Sequence, residues 1–306
     1  MLPRRLFLRL VLAAIFVPLA DSGAGAGTAA AARPLFAVCG AYPPEMEALH
    51  AVFGVDEAAG WERSEWKGIT LHRGTFAGKD LVVFSTGVSI VNATMRLQAA
   101  LDHLPITHVL FAGVAGGIDP SLHVGDVVIP ERWTYHSEAA YLNEDGKGGY
   151  FVPEYFKPRY ENFGMIFPDD VAVRREGEAT FVDVPAFPAD PLLVARARAV
   201  LPSLPEMRKA GRAVSVLVGG TGVAGPVFLD NARYREWVFR VWQARCLDME
   251  STALAHVAYA NHKPILIVRG LSDLAGGQHG LNPIDDNEAP VSVIAARVLR
   301  EVIAGL

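Results

Sequence analysis

Cysteine is scarce in this chain of 306 residues, which contains only Cys39 and Cys246. Each lies in a short apolar run typical of a strand, so two buried free thiols are favoured over a disulfide. No group of cysteine and histidine residues has the spacing of metal ligands. We therefore expect neither a disulfide framework nor a metal site.

Positive charge is also in short supply. The chain has 28 Lys and Arg residues against 33 Asp and Glu residues, a net charge of -5. Such a balance provides no cationic surface suited to nucleic acid, so we expect no nucleic-acid partner. A dinucleotide-binding fingerprint is missing too, because the glycine-rich segment 113–117 follows a strand pattern but no helix pattern begins there.

The N-terminal segment lacks an apolar run long enough to span a bilayer comfortably. It combines Arg4, Arg5 and Arg9 with the apolar run 10–20 and a small-residue stretch that reaches Ala32. This order is typical of a secretory signal peptide. We expect residues 1–32 to be removed, which leaves a secreted or periplasmic protein without a stable membrane anchor after processing. The alternative is an uncleaved anchor or a disordered leader.

From residue 33 onward, strand patterns alternate with helix patterns, which indicates the α/β class. No repeat or linker divides residues 33–306, so we expect a single domain with a central parallel or mixed sheet flanked by helices. Two glycine-rich segments, 113–117 and 219–226, are predicted to be open turns beside a ligand. The polar loop 276–287 is a candidate lid, and a helix is predicted over 291–303. The aromatic residues of segment 131–178 fit either a pocket lining or a satellite core.

Three acidic residues, Glu45, Glu250 and Asp273, each follow a strand pattern. Ligands of open α/β sheets bind at the carboxyl ends of strands, so these side chains are expected to share one edge. Cleavage of the N-glycosidic bond of a purine nucleoside requires such a set. One acid protonates the leaving base, a second activates water and a third holds the ribose hydroxyls. Taken alone, Glu45 is also explained as an acid that complements a helix dipole.

Several segments together resemble the nucleoside phosphorylase/nucleosidase superfamily, and within it the bacterial 5′-methylthioadenosine/S-adenosylhomocysteine nucleosidases. They are Gly40-Ala-Tyr-Pro-Pro-Glu45, the segments 111–117 and 124–128, Asp248-Met-Glu250, and Arg269-Gly-Leu-Ser-Asp273. The resemblance covers nearly all of the chain after residue 33. It implies a nucleoside phosphorylase-like fold and a homodimer.

The resemblance also implies roles for individual residues. Asp273 corresponds to the acid that protonates the base, and Glu45 to the glutamate that activates water. The other residues implied to bind the substrate are Glu250, Met249, Phe228, Leu229, Ser272, Arg269, Gly116 and Val88. Among them, Met249 and Glu250 match the ribose-binding pair, and the ring of Phe228 is expected to stack on the purine. No metal or organic cofactor is implied.

The choice between water and phosphate as nucleophile depends on cations, since phosphate is usually held by arginine. Phosphorylases of the superfamily have arginine in two places that correspond here to segments 41–44 and 109–111, and neither segment contains a cation. Hydrolysis is therefore expected, most readily of 5′-methylthioadenosine or S-adenosylhomocysteine, with release of adenine. The alternatives are a non-catalytic secreted nucleoside-binding or storage protein and a phosphate-dependent purine nucleoside phosphorylase.

Overall fold

The computed structural model describes residues 33–306, so the expected signal peptide over 1–32 lies outside the described residues. The elements up to residue 188 are β1 (Leu35–Gly40), α1 (Pro43–Phe53), β2 (Glu62–Trp66), β3 (Ile69–Phe76), β4 (Lys79–Ser85), α2 (Ile90–His103), β5 (Ile106–Gly117), β6 (Val127–Ile129), β7 (Arg132–Tyr135), β8 (Ala139–Tyr141), β9 (Ile166–Pro168), β10 (Val171–Val173), β11 (Val182–Val184) and β12 (Phe187–Pro188). They are followed by α3 (Pro191–Val200), β13 (Arg208–Lys209), β14 (Arg212–Ala213), β15 (Val216–Val218), β16 (Thr221–Ala224), α4 (Ala232–Trp242), β17 (Ala244–Asp248), α5 (Ser251–Ala260), β18 (Ile265–Asp273) and α6 (Ile284–Ala304).

A mixed sheet of 12 strands forms the centre of the fold. β1 and β18 run parallel to β5 on either side of it, and the last two residues of β5 pair with the antiparallel strand β17. β4 lies parallel to β1, and the antiparallel strands β3 and β2 extend that edge. Beyond β17, the sheet continues through β16, β7 and β12. The prediction of an α/β fold with a central mixed sheet is confirmed.

Helices cover both faces of the central strands. Successive strand residues point to opposite faces, so Ala37 and Cys39 of β1 pack in one core with residues of α2 and α5. Phe36 and Val38 pack on the other face with residues of α1, α3 and α6. Burial on both faces explains why these strands read as continuous apolar runs. Cys39 and Cys246 are both buried and free, as expected.

The two glycine-rich segments are not open turns, and that prediction is wrong. β5 continues as far as Gly117, and β16 occupies the middle of segment 219–226. At Gly222 a Cβ atom would overlap the indole ring of Trp133. Glycine is therefore required here because another side chain packs directly on the strand backbone.

The C-terminal part also differs from the prediction. β18 extends through Asp273, so this acid is the last residue of the strand rather than a residue after it. α6 begins at Ile284, seven residues before the predicted start at 291, and it contains Pro290. Pro290 has no N–H to donate to the carbonyl of Asp286, four residues earlier. Both residues are exposed, so this carbonyl can bond to water. Among residues 33–306, no helix is long and apolar enough to cross a membrane.

The segment 131–178 contributes to the core. Trp133 is fully buried in the core beneath α5, and Phe163 packs against Tyr234 and Trp237 of α4. His136 is buried, and its Nδ1 lies 2.9 Å from the hydroxyl of Tyr234. These contacts favour the satellite-core alternative.

Candidate active site

A cavity of about 270 Å³ lies where the carboxyl ends of β1, β5, β17 and β18 meet. This is the edge at which ligands bind in open α/β sheets. It brings together nine of the ten residues predicted from the sequence, namely Glu45, Val88, Gly116, Phe228, Leu229, Met249, Glu250, Ser272 and Asp273. The tenth, Arg269, lies behind the cavity wall and is fully buried.

Sequence reasoning missed several residues of the cavity lining. They are Tyr42, Val114, Ala115, Val227, Leu247, Asp248, Ile284 and Glu288. Tyr42 belongs to the same turn as Glu45, so its position could have been inferred. Ile284 lies in the predicted loop 276–287, and Glu288 lies between that loop and the predicted helix 291–303, although both belong to α6. Within the described chain, no aromatic residue of segment 131–178 lines this cavity.

The guanidinium of Arg269 connects the acidic side chains. Its Nε lies 2.6 Å from Asp248, Nη1 lies 3.1 Å from Glu45, and Nη2 lies 3.0 Å from Glu250. Its Cζ lies 4.2 Å from the centroid of the Phe111 ring. Burial disfavours the charge, but the three carboxylates together raise the pKa of Arg269. A planar fork of donors suits this geometry, which a lysine ammonium could not reproduce.

Glu45 is positioned by the first turn of α1. Proline at the start of the helix ends the turn after β1, and the Glu45 side chain folds back toward that turn. Its Oε2 accepts a hydrogen bond from Ala41 N at 2.5 Å, and its Oε1 accepts one from Val114 N at 2.8 Å. Burial raises the pKa of Glu45, while Arg269 and the two amides oppose the rise. The carboxylate is thus fixed at the cavity wall, where it can accept a proton.

Glu250 lies between β17 and α5. Its Oε1 accepts a hydrogen bond from Ser89 N at 2.8 Å, and its Oε2 accepts one from Arg269 at 3.0 Å. Asp248 binds the backbone at the start of the helix instead, since its Oδ1 accepts hydrogen bonds from the Glu250 and Ser251 amides at 3.1 and 2.9 Å. Burial raises the pKa of Glu250 to about 7, against the opposing charge of Arg269. The remaining lone pairs of Glu250 can accept hydrogen bonds from ligand hydroxyls.

Asp273 lies opposite Gly116 in the pairing of β18 with β5. Its Oδ2 accepts a hydrogen bond from Ser272 at 2.9 Å, and its Oδ1 accepts bonds from Ala275 N at 2.7 Å and Asn282 at 3.3 Å. Burial is the largest effect and raises the pKa of Asp273. A carboxyl group in such surroundings holds its proton more firmly and can serve as a general acid.

Comparison with known proteins places this arrangement in a family. The sequence model described as "Phosphorylase superfamily" matches residues 35–304. The chain belongs to the phosphorylase superfamily. The family-level resemblance noted in the sequence is therefore confirmed.

Superfamily members with curated functions match most of the chain. A 5′-methylthioadenosine/S-adenosylhomocysteine nucleosidase of Mycobacterium bovis is 25% identical over 273 residues, which cover 86% of this chain and 94% of the relative. One of the same name from Geobacillus kaustophilus is 28% identical over 249 residues, which cover 80% of this chain and 87% of the relative.

Solved structures of the superfamily have the same fold. A nucleosidase of Colwellia psychrerythraea in complex with adenine matches with a TM-score of 0.66 at 20% identity, covering 90% of this chain and 96% of that one. A futalosine hydrolase of Helicobacter pylori also matches with a TM-score of 0.66, at 18% identity, covering 89% of this chain and 98% of that one.

Proposed function

We propose that this superfamily member hydrolyses the N-glycosidic bond of purine nucleosides, with 5′-methylthioadenosine and S-adenosylhomocysteine among its substrates and adenine as the released base. The observation that carries the proposal is the convergence of Glu45, Glu250 and Asp273 on one cavity. The curated relatives have the nucleosidase name and are matched over most of their length.

Each of the three acids has a different role in the reaction. As the C–N bond breaks, its electron pair passes to the purine, and Asp273 donates a proton to the ring. Glu45 accepts a proton from a water molecule whose oxygen bonds to the anomeric carbon. Glu250 accepts hydrogen bonds from the ribose hydroxyls and stabilises the positive charge that develops on the sugar. Phe228, a residue that is 54% exposed, presents its ring for stacking on the base.

The charges around the cavity favour water over phosphate. None of the described lining residues is lysine, arginine or histidine. The buried Arg269 already bonds to three carboxylates. An incoming phosphate would therefore meet negative charge with no free cation to hold it.

Release of adenine from 5′-methylthioadenosine by the purified protein, followed by chromatography with and without phosphate, tests this function. We expect release in phosphate-free buffer with the free sugar as the second product. Strict dependence on phosphate, with a sugar 1-phosphate product, would instead establish a phosphorylase. Binding without release would establish a nucleoside-binding or storage protein.

We also propose a homodimer. Val91 and Met95 of α2 are 72% and 59% exposed. Val88, which precedes this helix, is partly exposed and lines the cavity. Apolar side chains clustered in this way are typical of a surface that a partner covers.

Export to the periplasm or the exterior is proposed from residues 1–32 alone. Their basic start, short apolar run and small-residue end support a cleaved signal peptide. Mass spectrometry of the protein recovered from the periplasmic fraction of its host should find an N-terminus near residue 33. Recovery of the uncut chain from the cytoplasm would contradict export.

A further inference from the structure

The cavity wall contains a polar pair of side chains in addition to the three acids. The hydroxyl of Tyr42 donates a hydrogen bond to Oε2 of Glu288 at 2.9 Å. The two residues are half-buried, and both line the cavity. They come from the turn after β1 and from α6, so the fold brings them together from opposite ends of the domain.

The position of this pair follows from the proposed placement of the nucleoside. Asp273 and Gly116 face each other at the base end, and Glu250 holds the ribose hydroxyls. Tyr42 precedes Glu45 by three residues, and the Glu45 carboxylate is close enough to help burial raise the pKa of the Tyr42 phenol. The pair is therefore near the sugar rather than the base. The part of a nucleoside that remains for it to contact is the 5′ substituent.

The chemistry of the pair selects among 5′ substituents. Among the described residues, Oε1 of Glu288 accepts no hydrogen bond, so it is available to a donor on the ligand. A hydroxyl group can donate to this carboxylate, which the single O–H of Tyr42 holds in place from the other oxygen. A methylthio group offers no donor and would remove water from the carboxylate without replacing its hydrogen bonds. A 5′ phosphate would be repelled.

We infer that Tyr42 and Glu288 select purine nucleosides whose 5′ substituent carries a hydrogen-bond donor, of which the 5′ hydroxyl is the smallest. The inference rests on the proposed function and refines its substrate class. It means that 5′-methylthioadenosine is accepted but is not the preferred substrate.

Adenosine and 5′-deoxyadenosine provide the sharpest test, because they differ by one hydroxyl group. For the wild type we expect kcat/KM for base release to be about 10- to 100-fold higher with adenosine, which is the usual effect of one hydrogen bond to a charged group. Glu288→Leu should abolish this preference. Tyr42→Phe should reduce it only in part, because the carboxylate remains.

A control on the same helix separates this effect from a general change of charge. Asp285 is exposed in the first turn of α6 and does not line the cavity, so Asp285→Asn should keep the wild-type preference. Glu288→Gln, which retains the size of the side chain and an acceptor oxygen but not the charge, should reduce the preference and provides the measurement if Glu288→Leu does not fold. Loss of preference in Asp285→Asn, or its full retention in Glu288→Gln, would overturn the inference.

Failure of the inference and failure of the proposed function give different results. Release from both nucleosides with equal efficiency overturns the inference and leaves the nucleosidase function intact. Release from neither overturns the function, and equilibrium binding of the same two nucleosides by calorimetry then decides the inference. Binding of adenosine at least 10-fold tighter supports the selection, whereas equal binding or no binding of the two rejects it.

Discussion

At the scale of single residues, Arg269 determines how the acids are held. One guanidinium bonds to Asp248, Glu45 and Glu250, so each carboxylate keeps a defined direction although it is buried. Asp273 is outside this network and bonds to Ser272 and Asn282 instead. The proposed general acid is therefore separated from the cation that would otherwise lower its pKa.

Replacement of the proposed general acid tests this division. Asp273→Asn keeps the shape of the side chain but cannot protonate the leaving base, so base release should fall by about 10²- to 10⁴-fold. Kinetics on 5′-methylthioadenosine or adenosine provide the measurement, and thermal unfolding should show an intact fold. Asp102→Asn, an exposed change on α2, should leave activity unchanged. Unimpaired turnover in Asp273→Asn would refute the role.

Glu250 gives a prediction about stability and pH. Its pKa is raised from 4.5 to about 7 in the folded protein, so between these values the folded state binds more protons than the unfolded chain. Stability from this group is present at low pH and is lost as pH rises through about 7. In urea unfolding, the wild type should lose stability relative to Glu250→Gln between pH 4.5 and 7. A difference that does not change with pH would contradict the prediction.

At the scale of elements, β5 is the strand on which the site depends. Its residues 113–117 lie between β18 and β17, beside Glu45, Arg269 and Asp273. A Cβ atom at Gly113 would overlap both Glu45 and Arg269. The absence of a side chain at Gly113 makes space for the buried ion pair of Glu45 and Arg269.

Gly113→Ala should therefore disturb the site directly. The added methyl group overpacks the core, which costs about 1–3 kcal/mol of unfolding free energy, and it displaces Glu45 and lowers base release. Gly60→Ala is the matched control, because Gly60 has open space around it and a φ of +88°. It should lose stability through backbone strain alone and keep full activity. Equal activity of the two variants would argue against the role assigned to Gly113.

A comparison of these elements with the sequence shows which of them local patterns can predict. Local apolar runs mark β1, α1 and β17 in the sequence, and the pair Pro43-Pro44 marks the start of α1. β16 and the end of β5 were missed, since glycine looks like a turn until the partner strand is known. Most site residues were found because they lie in short motifs. Tyr42 lies in such a motif and could have been inferred, but its contact with Glu288 could not, because that contact joins positions 246 residues apart.

At the scale of the whole molecule, the sheet brings acids from positions 45, 250 and 273 to one edge, close to the apolar surface of α2. Burial of that surface in a dimer would close the cavity on one side. Residues 33–306 form one compact unit, and the removal of residues 1–32 stays a prediction.

Charged side chains on α2 should prevent association. We expect the wild type to be a dimer by size-exclusion chromatography with light scattering, and the double variant Val91→Glu, Met95→Glu to be a monomer. Leu192→Glu places the same charge at a residue of α3 that is 78% exposed, and it should remain dimeric. A monomeric wild type, or a dimeric double variant, would exclude this interface.

The network around Arg269 has a further consequence for the charge of the site. Three carboxylates share one cation, so the interior of the site contains more acidic groups than cations, and burial raises the pKa of two of them, Glu45 and Glu250. A neutral nucleoside relieves little of this imbalance, whereas a sugar that becomes cationic relieves much of it. The charges of the site are therefore complementary to the transition state, in which the sugar is cationic, rather than to the neutral substrate.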